Sequence, residues 1–362
     1  MHEVILRNAR AEQYLCAARK NFIMKSNPES LSESTSKTVI GHFSDIHGDL
    51  RCFAHALELF EQEKPLFAIH TGDMVTWNLE DDTDCFYEGI KNSTVPILNC
   101  IGNHDTFNNK GFVARKELDR RYIQPLHGIC DADQRCYYFV DFEKEKLRLI
   151  VLNPYDDDAS EAFYISQKQC DWLIHTLKES AEKEYGVLIA GHEMDERVLE
   201  GSNQQGFCQR YAPSPWGYPK ARPSIIADIV DAFQHGKRLK KSYHWWNASL
   251  LNTEVDCCFE KKGEFIFYMC GHYHGDYVGY LQSYPDQLSC WMTCSGCFPE
   301  GYHNIGEECS DLPRIPGTVS EDAVNFYVID RKKKTVTAVR FGASVNDLME
   351  ERMCAVYSYG EK

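Results

Sequence analysis

No apolar run in the 362-residue chain approaches the ~20 residues needed to cross a bilayer, so no membrane-spanning helix is expected. An export signal is missing as well: residues 1–10 lead straight into Ala11-Glu12-Gln13, without the apolar stretch such a signal carries. Basic residues are in deficit, with 39 Lys and Arg against 54 Asp and Glu, for a net charge of −15. That excludes a bulk nucleic-acid surface or an anionic-membrane surface, because both work by neutralising phosphates. Cysteine is plentiful at 16, but metal-type spacing is not: Cys294 and Cys297 form the sole Cys-x-x-Cys. A structural zinc there would need Cys290 and a fourth ligand such as Cys309, Cys257 or Cys258, and no second pair supplies one. Without an export signal the cysteines read as reduced thiols, with Cys52, Cys100, Cys170 and Cys270 in the core. The cytoplasm is therefore the expected location.

What the chain does have is apolar, strand-like runs that each end in a short polar motif. Val39–Phe43 runs into Ser44-Asp45-Ile46-His47-Gly48-Asp49, and Leu66–Ile69 leads to Gly72-Asp73. Val95–Leu98 leads to Gly102-Asn103-His104-Asp105, Val187–Ala190 to Gly191-His192, and Phe265–Met269 to Gly271-His272-Tyr273-His274. Short β-rich apolar runs bounded by turn residues read as buried strands. In open α/β sheets the loops beyond the strand carboxyl ends hold the ligands. Five such loops bring two Asp, one Asn and five His to one edge, the composition of a dinuclear metal site. Two cations a few Å apart need an anionic oxygen between them, and Asp73 is the natural bridge. Carboxylate, amide and imidazole together suit Mn, Fe or Zn, whereas calcium and magnesium sites are richer in oxygen. His42 and His70, on the strands themselves, read as satisfied core or sheet residues.

The order Asp-x-His, Gly-Asp, Gly-Asn-His-Asp, Gly-His, Gly-His-x-His resembles the calcineurin-like metallophosphoesterases over residues 38–341. The resemblance implies a four-layer α/β/β/α sandwich with two mixed sheets and the metals at the strand carboxyl ends. It also implies that one metal takes Asp45, His47, Asp73 and His274, and the other Asp73, Asn103, His192 and His272. A water shared by the metals would ionise near neutral pH and attack phosphorus in line with the leaving oxygen. His104 would face the substrate, steadying the phosphoryl group or protonating the leaving oxygen, with Asp105 orienting its imidazole. Where protein phosphatases of this superfamily continue with Asp-Arg-Gly, this chain has Val75-Thr76-Trp77, and Asp105 stands where they carry Glu. Both departures point to the phosphodiesterase-like branches. The resemblance thus implies a hydrolase for a small phosphorylated substrate, with a nucleotide-type phosphodiester favoured by likeness to class III cyclic-nucleotide phosphodiesterases. A protein or small-molecule phosphomonoesterase is the second reading, and a catalytically silent binding scaffold the third. The complete ligand set and His104 speak against the scaffold.

The remaining chain divides around that domain. Tyr14, Leu15, Ala18 and Phe22 have helical spacing, and residues 26–37 are Ser-rich, so 1–37 reads as a helix and linker. Leu50, Phe53, Leu57 and Phe60 form a helical stripe that Lys64-Pro65 ends. Residues 137–141 and 147–152 read as a hairpin, and Asp156-Asp157-Asp158 after it as a solvated loop. Ser166-x-x-Gln169 is a capping box opening a helix with Cys170, Leu173, Ile174 and Leu177 on one face. Its Ser-x-x-Gln-x-x-Trp-Leu pattern is also similar to the family's helix before the Gly-His strand. Residues 193–262 form a long insertion, and its two ends must lie beside the site. Its 201–246 part reads as a lid, with Arg210, Arg222 or the Lys237–Lys241 run reaching phosphate and Trp245 or Trp246 packing on the organic part. The alternative is a solvated turn followed by core aromatics. Residues 325–330 and 335–341 read as a hairpin closing the second sheet, and 342–362 as a tail without a motif.

Overall fold

Alternation along the strands decides the layers. The computed structural model describes residues 37–76, 80–108, 111–113, 115–123, 135–156, 164–193, 224–244, 252–272, 277–281, 283–291, 322–342 and 354–360. Residues 9–24 and 26–36, Asp157 and Asp158, His274, Cys294 and Cys297 lie outside this set, as do Arg210, Arg222, Trp245 and Trp246.

The first sheet contains β1 (Lys37–Phe43), β2 (Ala68–His70) and β3 (Ile97–Asn99), which run parallel. Between them lie α1 (Leu50–Glu63) and α2 (Glu80–Asn92). Asp49 caps α1 by accepting from the N–H groups of Arg51 and Cys52, and Lys64 in the left-handed region ends it before Pro65. Phe53 and Phe60 of α1 pack on Phe43, so this helix covers the outer face of the first sheet. Phe107–Asn108 and Gly111–Phe112 form a short ribbon, β4 and β5, after the third motif.

The second sheet starts with the hairpin of β6 (Tyr138–Phe142) and β7 (Leu147–Val151), as expected. Next comes α3 (Gln167–Lys183), which Ser166 caps by accepting from the Gln169 N–H, and then β8 (Gly186–Ala190), parallel to β7. In β7, Leu147, Leu149 and Val151 face the core between the sheets while Ile150 faces the outer helices. Strand β11 (Glu264–Cys270) does the same with one irregularity at Phe265–Phe267, so that Ile266 and Phe267 both join the inner core. An extra residue in a ladder shifts the alternation in that way. Strands β12 (Tyr277–Tyr280) and β13 (Leu288–Trp291) complete the sheet, in the order β12-β13-β11-β8-β7-β6. Both sheets are mixed and face each other, and Phe67 stacks on Phe142 across the gap at 4.8 Å. The four-layer sandwich is thus as expected.

Three expectations are corrected. The final hairpin, β14 (Ala323–Asp330) and β15 (Thr335–Gly342), extends the first sheet and not the second, because β14 pairs antiparallel with β1. The segment read as a tail adds an edge strand, β16 (Cys354–Ser358), beside β15. The described helix of the proposed lid is core. Helix α4 (Ile225–His235) buries Ile225, Ile226, Ile229, Val230 and Phe233 in one cluster with α3 and the second sheet. Each such burial is worth ~1.5–3 kcal/mol, so this helix is a structural layer rather than a cover. Strand β9 (Arg238–His244) follows and pairs with β10 (Asn252–Cys258). The basic run at its start is engaged by acids: Lys237, just before the strand, by Asp231, Arg238 and Lys240 by Asp256, and Lys241 by Asp228. No described helix is long and apolar enough to cross a membrane.

Candidate metal centre

The loops after β1 and β2 are laced to each other before any ion is considered. The Asp45 N–H donates to the Gly72 carbonyl, that of His47 to Asp73, and that of Gly48 to Met74, each at 3.0 Å. This lacing holds Asp45, His47 and Asp73 at φ of 53°, 50° and 57°, and His272 on the other sheet sits at 67°. A non-glycine residue in that region costs on the order of 1–3 kcal/mol, and such strain gathers at functional sites. The glycines beside these residues answer a second constraint, close approach. A Cβ on Gly102 would collide with the Asp73 carboxylate, and one on Gly271 with Ser44 and the Asp45 carboxylate.

Asp105 is not the partner of the His104 ring. Its Oδ2 accepts from the backbone N–H groups of Asp73 (2.9 Å) and Gly102 (2.8 Å), and its Oδ1 from Met74 (3.0 Å) and Val75 (3.3 Å). The carboxylate is a cradle for the Asp73 loop, and this corrects the orienting role expected of it. His104 is instead held through Nδ1, 2.9 Å from the Thr76 carbonyl, while its own backbone N–H donates to Asp73 Oδ1 at 2.9 Å.

From the second sheet, His192 is completely buried and its Nδ1 lies 2.7 Å from the Thr71 carbonyl. That bond turns Nε2 toward Asp73 Oδ2, 3.1 Å away, and toward His272 Nδ1, 3.2 Å away. His272 Nδ1 is also 3.1 Å from Asn103 Oδ1, and the His272 backbone N–H donates to both oxygens of Asp45 at 3.1 Å. Two groups able to hold an ion result: Asp73, His192 and His272, and His47, Asp73 and His104, with ligand atoms within 4.8 Å of one another in each. Asp73 belongs to both. In the second group His47 Nε2 stands 3.8 Å from Asp73 Oδ2 and 3.9 Å from Asp45 Oδ1. His104 thus comes within ligand range of His47 and Asp73, a juxtaposition the motif order did not foretell. His274 lies outside the described residues.

The donor atoms fit cations. An ion bound at ~2.0–2.1 Å sets its neighbouring donors ~3.0–3.4 Å apart, the spacing found among Asp73, His192, His272 and Asn103. The protonation pattern says the same. Burial alone would raise the Asp73 carboxyl, yet His192, His104 and His47 around it hold it well below the usual carboxylate range. Burial would lower His192, but the Asp73 carboxylate outweighs it and pushes the imidazole up to about 9. Burial and then the Asp73 charge push Asp105 up to about 7, against the pull of the Gly102 and Val75 N–H groups. Without metal, a proton on His192 supplies positive charge that a cation would replace.

Sequence reasoning missed two residues here. Glu193, 3% exposed, accepts from the Tyr155 hydroxyl at 2.6 Å through Oε1, and its Oε2 is 3.6 Å from His272 Nε2. Their one signal in the sequence is position, directly after a motif histidine and just past the end of β7. Of the two strand histidines, His42 is satisfied by Thr71 and Tyr327, as expected. His70 is buried with no hydrogen-bond partner at either ring nitrogen among the described residues, and burial lowers it to about 3. Asp156, expected in a solvated loop, is buried and takes Arg135 at 3.0 Å.

Residues 38–276, from β1 through the last motif, match the family model described as calcineurin-like phosphoesterase. No curated protein matches the chain in sequence. Among solved structures the fold is similar to a dimetal phosphatase from Danio rerio, at 10% identity, over 89% of this chain and 99% of that one, with a TM-score of 0.55. It is also similar to purple acid phosphatase PPD1 from yellow lupin (Lupinus luteus) seeds, at 12% identity, over 90% of this chain and 54% of that one, with a TM-score of 0.50. At these identities the likeness is one of fold. The family model, which spans more than half of the chain, and the two histidine–aspartate groups meeting at Asp73 lead to one conclusion: the chain belongs to the calcineurin-like phosphoesterases and is a metal-dependent hydrolase of phosphoric esters with a dinuclear centre.

Proposed function

We propose that the substrate is a phosphodiester of nucleotide type and that the ions are two of Mn, Fe or Zn. One holds Asp45, His47, Asp73 and His274, and the other Asp73, Asn103, His192 and His272. The observation that carries the ligand reading is the place of Asp73, whose carboxylate is the member common to both donor groups. Bound there, the ions would supply Lewis-acid charge for the phosphoryl oxygens and lower the pKa of water in the cleft. The chain's own part is positioning. Thr71 fixes His192, the Asp105 cradle fixes Asp73, and the Thr76 carbonyl holds Nδ1 of His104. His104 would then meet the phosphoryl group or the leaving oxygen through Nε2.

The diester preference is supported by Val75 and Thr76, which stand in place of the protein-phosphatase continuation. Val75 donates its N–H to the Asp105 cradle and Thr76 supplies the carbonyl that holds His104, so the departure lies within the site's own framework. A cytoplasmic setting is supported by Cys52, Cys100, Cys170 and Cys270, which lie buried in the core as the sequence expects of reduced thiols.

The test is turnover by the Mn-loaded protein on a generic aryl phosphodiester and on the matching monoester. We expect kcat/KM to favour the diester by about tenfold or more, a ~1.4 kcal/mol difference. The reverse preference would install the phosphomonoesterase reading. Failure on both esters with two ions bound would favour the silent scaffold.

A further inference from the structure

The ring of His272 has a problem that its metal-side contacts do not solve. Its Nδ1 is the atom that points at His192 Nε2 and Asn103 Oδ1, so Nδ1 must carry the lone pair when an ion is held there. A neutral imidazole has one proton, and with Nδ1 ligating that proton must sit on Nε2. Among the described residues the carboxylate of Glu193 faces that atom, Oε2 to Nε2 at 3.6 Å. Its other oxygen is fixed by the Tyr155 hydroxyl at 2.6 Å, and its backbone carbonyl by the Tyr268 hydroxyl at 2.8 Å.

Tyr155 is in turn pinned from the outer layer. Gln169 of α3 accepts from the Asn153 N–H and donates to the Asn153 carbonyl, each at 2.9 Å. The Asn153 side chain accepts from the Tyr155 N–H at 3.1 Å. Ser166 caps α3, but Gln169 does not reach back to complete a capping box: its amide is spent on the segment that aims Tyr155.

We infer that Glu193, steadied by Tyr155, is a positioning residue whose carboxylate faces the Nε2–H of His272, keeps the proton on that nitrogen and so selects Nδ1 as the atom offered to the ion. The inference rests on the dinuclear reading above. A ligand histidine whose second nitrogen meets a carboxylate is fixed in tautomer and made more basic, and loss of such a partner costs about 10–100-fold in metal affinity.

The experiment titrates the metal-free protein with Co(II), following the visible absorption of each equivalent, with Mn content after dialysis as a second readout. Glu193→Gln keeps the volume and an acceptor for Tyr155 but removes the charge. We expect one of the two binding steps to weaken by about 10–100-fold with a shifted spectrum, and the other to stay as in the wild type. Tyr155→Phe should weaken the same step by a smaller factor, and it serves as the test should Glu193→Gln not fold. Wild-type titrations in both variants would overturn the inference. So would equal weakening of both steps with a lower unfolding temperature of the metal-free protein, which marks a general structural role. Uptake of a single ion by the wild-type chain would sink the dinuclear reading itself, a result independent of the variants.

Discussion

The loops of the first sheet deliver Asp45, His47, Asp73, Asn103, His104 and Asp105 to the site, while those of the second deliver His192, Glu193 and His272. The first set is held by backbone. Three N–H to carbonyl bonds lace two loops together, and four N–H groups end on one carboxylate. The second set is held by contacts across the seam, His192 through Nδ1 at the Thr71 carbonyl and His272 through its backbone N–H at the Asp45 carboxylate. The first sheet thus concentrates carboxylates on a rigid frame, and the second brings imidazoles that close over it, His192 pushed up to about 9, against its burial, by the Asp73 charge. Neither half is electrostatically complete, because buried charge must be paired or neutralised. The seam between the sheets is where a cation belongs.

The most damaging way to break that comparison is to remove the charge common to both donor groups. Asp73→Asn should reduce bound metal from two ions to fewer than one and take turnover to background. That is a larger loss than the ~10²–10⁴-fold worth of one acid–base group. Elemental analysis alongside kinetics checks it, and an active Asp73→Asn protein with two ions would end the shared-ligand model. His104→Ala comes next. With both ions retained, turnover should fall by about 10²–10⁴-fold. A collapse of metal content instead would make His104 a ligand, which its closeness to His47 and Asp73 permits. An unchanged rate would point to the scaffold reading.

Asp105→Asn probes the rigid frame itself. One oxygen becomes an NH₂ that meets N–H donors where it should accept, so the Asp73 loop loses part of its support. Metal affinity should drop by about 10–100-fold, with thermal stability falling alongside. If kcat falls at unchanged metal affinity and stability, Asp105 acts through His104 as the sequence suggested, and the cradle reading fails.

On both sheets the sequence carried the motifs further than the groups that hold them. Each motif was legible because its strand is covered on both faces and so reads as an unbroken apolar run, as Val187–Ala190 does. The residues that hold the ligands were not legible. Nothing in the order Gly-Asn-His-Asp says that the Asp105 oxygens end on the amides of residues 73–75 and 102, because a carboxylate's partners depend on loop path. The positive φ of Asp45, His47, Asp73 and His272 was hidden for a related reason, since no glycine marks those positions. Glu193 and Tyr155 come from separate loops and meet only when β7 and β8 pair. The β14–β15 hairpin was placed on the wrong sheet because its apolar pattern fits either one, and only its pairing with β1 decides.

The smallest expected effect concerns pH, and it separates the two halves without a mutation. In the metal-free protein His192 is pushed up to about 9, above its ordinary 6.5. A raised folded-state pKa contributes stability that is fully present below the unfolded value and is lost as pH rises through the folded one. Asp105, pushed up to about 7, acts in the same direction at the lower edge of that window. His42 and His70 lie below their ordinary values, so both are neutral folded and nearly neutral unfolded above pH 7 and add little slope there. From pH 7 to 9 the metal-free protein should therefore lose stability. Metal binding moves the other way, because an ion at His192 Nε2 must displace its proton and gains affinity, about tenfold per pH unit, until that proton is gone. Unfolding temperatures of chelated and Mn-loaded protein should then diverge by a few degrees as pH rises across this range. A gap that stays constant would mean that His192 carries no proton in the metal-free site. The first sheet's charge would then be met by some group other than the second sheet's imidazole.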